Sequence, residues 1–275
     1  STQGYSSAAS DVYKRQTSHR DNLNKYKGEE LQFKFMTNMD YEEYLWSRGE
    51  NELANLIRES FNKRKTCPFH RLALDLFSEY LMTGGMPEVV AANISGLSAY
   101  KIDAIKQKIK DIYIKELTES TNLIDIERSI AVFNSLPYQL KKDNRKFQYG
   151  LLGFGRRKKE YDNAISYLVN NQIAYRSYKI TDVKSPLSSC RQPDSFKLYM
   201  NDEGILYSML HLSQKEFMAN EKVRQILYEN HIAKTLAEAN YALYYYQSEG
   251  KAEVDFVIQN LSLIHISEPT RHSLI

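Results

Sequence analysis

Cysteine is nearly missing: 275 residues hold Cys67 and Cys190 alone, too few and too far apart for a disulfide scaffold, and neither sits in a CxxC metal pattern. Both are expected to be reduced thiols. Long apolar runs are missing as well, which excludes a membrane-spanning helix of about twenty residues. No charged-then-apolar leader stands at the start. The expectation is a cytoplasmic protein with no membrane partner. A surplus of one charge is also lacking: the net charge is +3, a balance that demands neither nucleic acid nor membrane. What is plentiful is tyrosine, 21 residues spread through helical and strand-like segments, a distribution that packing explains. With 42% hydrophobic and 26% charged residues, the chain is of ordinary globular composition and long enough for two compact units.

The two ends are unlike the middle. Asp11–Gln16 (DVYKRQ) and Leu261–Ile266 (LSLIHI) can be encoded by one DNA stretch and its reverse complement. The wider segments Ser6–Gln16 and Leu261–Arg271 resemble translations of transposon-based sequencing-library adapters. Residues 1–16 and 261–275 are therefore expected to be non-native and are set aside from the fold argument. Lys14, Arg15, Asp11, Arg271 and Glu268 contribute a net +1, so the internal stretch is close to +2. The expectation is an internal piece of a longer gene, with both natural termini missing.

From Asp40 the apolar spacing is helical. Asp40 is a good N-cap, Glu43 completes a capping box, and Tyr41, Tyr44 and Leu45 share a face. A second helix is predicted through Leu53, Leu56, Ile57 and Phe61. A third, over 68–82, carries Leu72, Leu76, Phe77, Tyr80 and Leu81 and stops at Gly84-Gly85 before Pro87. Helices over 100–118 and 126–140 follow, the latter capped by Asp125. After the charged connector KKDNRK come the short segment FQYGLLGFG and an amphipathic helix over 156–170 with Tyr161, Ile165, Leu168 and Val169 inward. Two strands, 173–180 and 196–200, are joined by a Ser/Pro-rich loop. That order of helices and strands is the winged-helix order. A helix over 220–239 then precedes strands 241–247 and 253–258, with Glu249-Gly250-Lys251 as their turn. The fold class is α+β, mainly helical.

Three groups of residues carry candidate chemistry. Gly150–Arg157 has phosphate-loop glycine spacing, but Arg156 replaces the lysine and Arg157 stands where a Ser/Thr would hold magnesium. Glycines that shape a turn into the next helix are the preferred interpretation, and no nucleotide site is assigned. Arg156, Arg157, Lys158 and Lys159 form a basic cluster at the start of a helix, where side chains and free backbone N–H groups suit phosphate. A charge run of this kind also fits a solvated face, a domain contact or a partner protein. The third group is Glu229, Glu253 and Asp255. In the run EVDFVI, Glu253 and Asp255 fall on one face of a strand; such carboxylates suit a divalent metal, although surface carboxylates at a hairpin are commoner. His70, His211 and His231 lack ligand spacing and are interpreted as packing or surface residues.

The strings DYEEYLWSRGE (Asp40–Glu50), FHRLALDLFSEYLMTGGMPEVVAA (Phe69–Ala92), FNSLPYQLKKDNRKFQYGLL (Phe133–Leu152), KKEYDNAISYLVNNQIA (Lys158–Ala174), SFKLYMNDEGIL (Ser195–Leu206) and AEVDFVI (Ala252–Ile258) resemble the prokaryotic AAA+ ATPase family with a C-terminal domain of unknown function. GGMPEVV is the most recognisable segment. The resemblance implies a P-loop ATPase core, a helical and winged-helix middle, and a restriction-endonuclease-like end. By it, residues 17–39 would end the ATPase core, 40–125 form a helical lid-like region, 126–212 a winged-helix domain, and 213–260 the start of an endonuclease-like domain. LQFKFMTNMD (Leu31–Asp40) would be the last strand of the core.

By the same resemblance Asp255 is the metal-site aspartate and Glu229 the helix glutamate of a PD-(D/E)xK-type nuclease. The Glu-x-Lys half has no counterpart, so the stretch itself is expected to be inactive. ATP and Mg are expected only for the full-length ATPase, and the partner is expected to be DNA or a protein. Two alternatives stand beside it: a winged-helix DNA-binding module without enzymatic activity, and a metal-dependent PD-(D/E)xK-type nuclease, truncated here.

Overall fold

The computed structural model describes residues 36–119, 123–155, 157–248, 253–260 and 263–267. The chain divides into two compact units, residues 1–120 and 121–275, each of which folds around its own core. Together they make a mainly helical α+β protein, as the sequence predicts. No helix among the described residues is long and apolar enough to cross a membrane.

The first unit is all helical in its described part. Helix α1 (Tyr41–Ser47) starts at the expected capping box: the Glu43 N–H donates to Asp40 and the Asp40 N–H to the Glu43 carboxylate, at 2.8 and 2.9 Å. Helices α2 (Asn51–Asn62) and α3 (His70–Thr83) bring Leu53, Ala54, Ala73 and Leu76 against Leu45. Phe61 and Leu72, expected in the apolar stripes, are exposed instead. The helices are short and the stripe is narrow, so Ala54 and Ala73 take core positions that periodicity gives to larger residues.

The GGMPEVV segment has a physical reason. Gly84 ends α3 at φ +83, and a Cβ on Gly85 would fall on the backbone of Met39. The Met39 N–H bonds to the Gly85 carbonyl at 2.8 Å, and the Tyr80 hydroxyl bonds to the Met39 carbonyl at 2.9 Å. Pro87 then opens α4 (Pro87–Ile94) as its first residue, where its missing N–H costs nothing. Helix α5 (Ala99–Glu119) completes the described part of the unit. Met36–Asp40 forms no strand, contrary to the expected core-ending strand; the preceding residues of that stretch, 31–35, lie outside the described residues.

The second unit opens with α6 (Leu123–Leu140), which starts earlier than expected, so Asp125 sits in its first turn rather than at its cap. A 3-10 turn (Tyr149–Leu152), α7 (Lys158–Asn170), β1 (Ala174–Ile180) and β2 (Arg191–Met200) follow. Two short helices, α8 (Glu203–Met209) and α9 (Gln214–Ala219), are additions to the elements expected from the sequence. They lead to α10 (Glu221–Glu238), capped by Asn220, and to β3 (Leu243–Gln247), β4 (Glu253–Asn260) and β5 (Leu263–Ser267).

The strands form one mixed sheet of order β2-β1-β3-β4-β5. The β1–β2 hairpin, expected as the wing of a separate domain, pairs in parallel with β3 through Ser177–Ile180 and Leu243–Tyr246. The boundary drawn at 212/213 is thus bridged by the sheet itself. β1 buries Ala174, Ser177 and Ile180, and the segment through α10 supplies the long crossover that a parallel pair requires. Helices α6 and α7 pack together and meet β2 and β1, while α10 packs on β1, β2 and β3.

β5, from the stretch set aside in the sequence, pairs antiparallel with β4. A short run with the β-branched Ile264 and Ile266 in it, such as Leu263–Ser267, is competent to add to an open strand edge. The turn at Glu249–Lys251 lies outside the described residues.

Candidate functional site

The site lies on the sheet face that α10 covers. Asn220 caps the helix at its start, and Asn230 anchors its middle: the Met200 N–H donates to Asn230 Oδ1 at 2.7 Å, and Asn230 Nδ2 donates to the Met200 carbonyl at 3.0 Å. This fully buried pair of bonds extends the end of β2 with a side chain in place of a strand. It fixes the rotation of α10 and so aims the preceding residue, Glu229, at β2.

Glu229 meets Lys197 there. Lys197 Nζ is 3.3 Å from Glu229 Oε1, 2.9 Å from Glu253 Oε1 and 3.0 Å from Asp255 Oδ1. The structure therefore brings together the three carboxylates singled out in the sequence, and adds the lysine that sequence reasoning missed. Tyr199, two residues on along β2, donates its hydroxyl to Glu229 Oε1 at 2.6 Å. Arg145 pairs with the other oxygen of Glu229. Arg145 adopts φ +46, an uncommon left-handed conformation, in the connector KKDNRK, which reads from sequence only as a charged linker. The Tyr245 ring lies 4.9 Å from Lys197 Nζ, and its hydroxyl is 3.2 Å from Ser195 Oγ.

Burial grades across the cluster. The side chains of Lys197 and Glu229 are 1% and 2% exposed, whereas Glu253, Asp255 and Arg145 are 11–13% exposed. The inner pair is sealed under α10, and the outer carboxylates reach the edge of the cover. Burial alone would disfavour the Lys197 ammonium, but attraction by Glu229, then Asp255 and Glu253, outweighs it and raises its pKa above the ordinary lysine value. Burial, reinforced by the Glu229 charge, pushes the Tyr199 phenol well up, so Tyr199 stays a hydrogen-bond donor. Across from Lys197 in the β1–β2 register stands Ser177, fully buried, with no hydrogen-bond partner for its Oγ.

The donor chemistry suits a hard divalent cation, which prefers oxygen ligands. The arrangement does not. The point that the three carboxylates share is taken by Lys197 Nζ, and no group of three or more His, Cys, Asp or Glu among the described residues is disposed to hold a metal ion. Three carboxylates face two fixed cations, Lys197 and Arg145, so most of the formal charge is neutralised from within. β5 occupies the edge beside β4 where a Glu-x-Lys strand would be needed, and its sequence, LIHIS, contains neither residue.

A second buried ionic group sits further along α10. Glu203, at the start of α8, is fully buried and lies 2.8 Å from His231 Nδ1 and 3.1 Å from Lys234 Nζ. Burial works against the Glu203 carboxylate, but Lys234 and His231 hold its pKa below the usual range. His231, interpreted from the sequence as a packing or surface residue, is one of its partners. The signal that could have found this group is Asp202-Glu203, two carboxylates in the cap and first turn of an otherwise apolar helix.

The basic cluster is only partly assembled. Arg156 lies outside the described residues. Arg157 and Lys159 are exposed at the start of α7, while Lys158 is paired with Asp194. Nearby, exposed Arg191 stacks over Tyr178 at 4.8 Å. The Gly150–Gly155 segment forms the 3-10 turn and a glycine-shaped link into α7, with Gly153 at φ +133 and Gly155 at φ +73. Phe154 between them is fully exposed.

A family model described as "Domain of unknown function (DUF8612)" matches residues 74–216. That stretch is more than half of the chain and contains Arg145, Lys197, Tyr199 and Glu203, while Glu229, Glu253 and Asp255 lie beyond it. No curated protein and no solved structure matches the chain.

Proposed function

The chain belongs to the DUF8612 family, and from that premise we propose that it is the C-terminal part of an AAA+-family ATPase, ending in a restriction-endonuclease-like α/β unit. The observation that carries this reading is the meeting of Glu229 and Asp255 at Lys197. These are the helix glutamate and strand aspartate that the resemblance names, and they belong to different elements. Their convergence supports the resemblance at the level of tertiary structure, where sequence order alone could not.

In this reading, ATP and Mg are bound by a P-loop core carried in the longer cytoplasmic protein. The helical unit and the α/β unit transmit its nucleotide state to a DNA or protein partner. The cluster on α10 serves as an ionic anchor for that transmission, since shifting the helix off the sheet would leave buried charges without their partners. Fold alone does not fix such a role, so the test is biochemical. The longer protein should carry a Gly-x4-Gly-Lys-Ser/Thr loop and hydrolyse ATP. Changing that loop lysine to Ala should abolish hydrolysis, and Glu229→Gln should weaken the response of hydrolysis to the partner. A gene without such a loop, or a protein without hydrolysis, would remove the reading.

A second reading, a nucleic-acid-binding module without enzymatic activity, is favoured by one observation: Arg157 and Lys159 stand exposed at the N-terminus of α7, beside the stacked Arg191 and Tyr178. Cations at a helix start and a ring with a cation over it suit phosphate and base, respectively. Duplex or single-stranded binding that does not weaken with salt would count against it.

A further inference from the structure

Carboxylates of α10 and β4 converge on one point, and a lysine from β2 fills it. The distances from Nζ, 2.9, 3.0 and 3.3 Å, are those of N–H···O bonds. Oxygen ligands of a divalent cation stand closer, at roughly 2.0–2.6 Å. The carboxylates therefore have to close inward to hold a metal, and the ammonium between them prevents it. Glu229 is meanwhile held at Oε1 by Tyr199 and at Oε2 by Arg145, so it would keep its aim if the lysine were gone. Ser177 adds an independent observation: a fully buried hydroxyl, in register with Lys197 on the same sheet face, satisfied by no protein group. An unpaired buried hydroxyl is costly, and it offers a further neutral oxygen beside the acidic cluster.

We propose that Lys197 is the resident cation of this site, holding Glu229, Glu253 and Asp255 in convergence and excluding a divalent metal ion for as long as its ammonium is present. The site is then a convergent set of carboxylates whose metal-binding position is blocked by one side chain. The inference stands on this geometry and does not depend on the ATPase reading; failure of either leaves the other intact.

Mn2+ uptake by the 275-residue chain, followed by the loss of the free-ion paramagnetic resonance signal, tests the proposal. Wild-type protein should bind Mn2+ no better than does the Glu229→Gln variant. Lys197→Met should gain a single site at least about tenfold tighter, and Glu229→Gln in that background should remove it. Because Lys197→Met leaves carboxylates unpaired, thermal melting is read in parallel, together with Lys197→Met/Glu253→Gln, which carries less excess charge. Mn2+ should raise the melting temperature of both variants and leave the wild type unmoved. The proposal is overturned if wild-type protein binds Mn2+ as tightly as Lys197→Met through a site that Glu229→Gln abolishes. It is equally overturned if both Lys197 variants take up no Mn2+ or stay unfolded in its presence.

Discussion

Asn230 of α10 closes both backbone groups of Met200 at the end of β2, accepting from its N–H at 2.7 Å and donating to its carbonyl at 3.0 Å. A side-chain amide thus does the work of a missing strand, in a position with no access to water. Asn230→Ala leaves two buried backbone groups unpaired and should destabilise the second unit by about 2–4 kcal/mol, at the cost of ~1–3 kcal/mol for a single unsatisfied group. Chemical denaturation followed by circular dichroism checks this. A loss below about 0.5 kcal/mol, the size of an ordinary surface substitution, would mean that water replaces the amide.

The neighbouring residue allows a graded comparison. Glu229→Ala strands Arg145 and the Tyr199 hydroxyl in a buried position, takes from Lys197 its most buried partner, and should cost about 3–5 kcal/mol. Glu253, at the more exposed edge of the same cluster, meets Lys197 but neither Arg145 nor Tyr199, so Glu253→Ala should cost clearly less. Equal losses from the two variants in urea unfolding would show that the cluster is not sealed at its inner end.

Glu203, at the start of α8, and Glu238, at the end of α10, should give opposite pH slopes. Glu203 has its pKa lowered in the folded state, despite burial, by Lys234 and His231. Its contribution is present above the ordinary carboxylate pKa and is lost as pH falls through the lower folded value. Glu238 has its pKa raised to about 7, by burial first, with Glu203 adding to it against Lys234. The folded state then holds the proton more tightly than the unfolded state, so stability falls as pH rises from the ordinary glutamate value of about 4.3 through 7. Glu238→Gln should flatten the wild-type decline between about pH 5 and pH 8 in thermal melts while leaving the acid limb, which Glu203 supplies, in place.

Gly85 tests the first unit separately. Its missing Cβ leaves room for the Met39 backbone, and backbone cannot swing aside as a side chain can. Gly85→Ala should lower stability by about 1–3 kcal/mol, the usual cost of overpacking, with Tyr80 losing its bond to the Met39 carbonyl in step. Unchanged melting of the helical unit would contradict this.

At the start of α7, the two exposed cations should dominate any phosphate binding. Arg157→Ala/Lys159→Ala should reduce the slope of binding against salt by about two counterions' worth, near −0.9 per contact on duplex DNA. Lys158→Ala, already neutralised by Asp194, should change it much less. Oligonucleotide anisotropy at several salt concentrations separates the two.

Local signals in the sequence are sufficient for most of the elements. Asp40 and Glu43 announce a helix start because the capping box is closed within four residues, and α10 is long enough, at 18 residues, to show as a helix although its buried face carries Glu229, Asn230 and Lys234. Helices α4, α8 and α9 escape because each is only about two turns long, too short for a 3.6-residue period to show. The carboxylate half of the site is visible because Glu253 and Asp255 alternate on one strand, and because Glu229 falls on the helix that precedes it. Lys197 is not, since a cation in an apolar strand has no meaning until its partners are in place. The parallel pairing of β1 with β3 is hidden for a similar reason: a strand next to a tight hairpin partner looks like a wing whether or not a distant strand joins its other edge.

The most direct test of the central claim is a double-mutant cycle between Lys197→Met and Asp255→Asn, measured by urea unfolding of the full chain. If Lys197 is the cation on which the site converges, the two substitutions should be coupled by at least about 1 kcal/mol, with Asp255→Asn doing far less harm, or even helping, once the lysine is gone. Additivity within about 0.3–0.5 kcal/mol, the behaviour of independent sites, would contradict it.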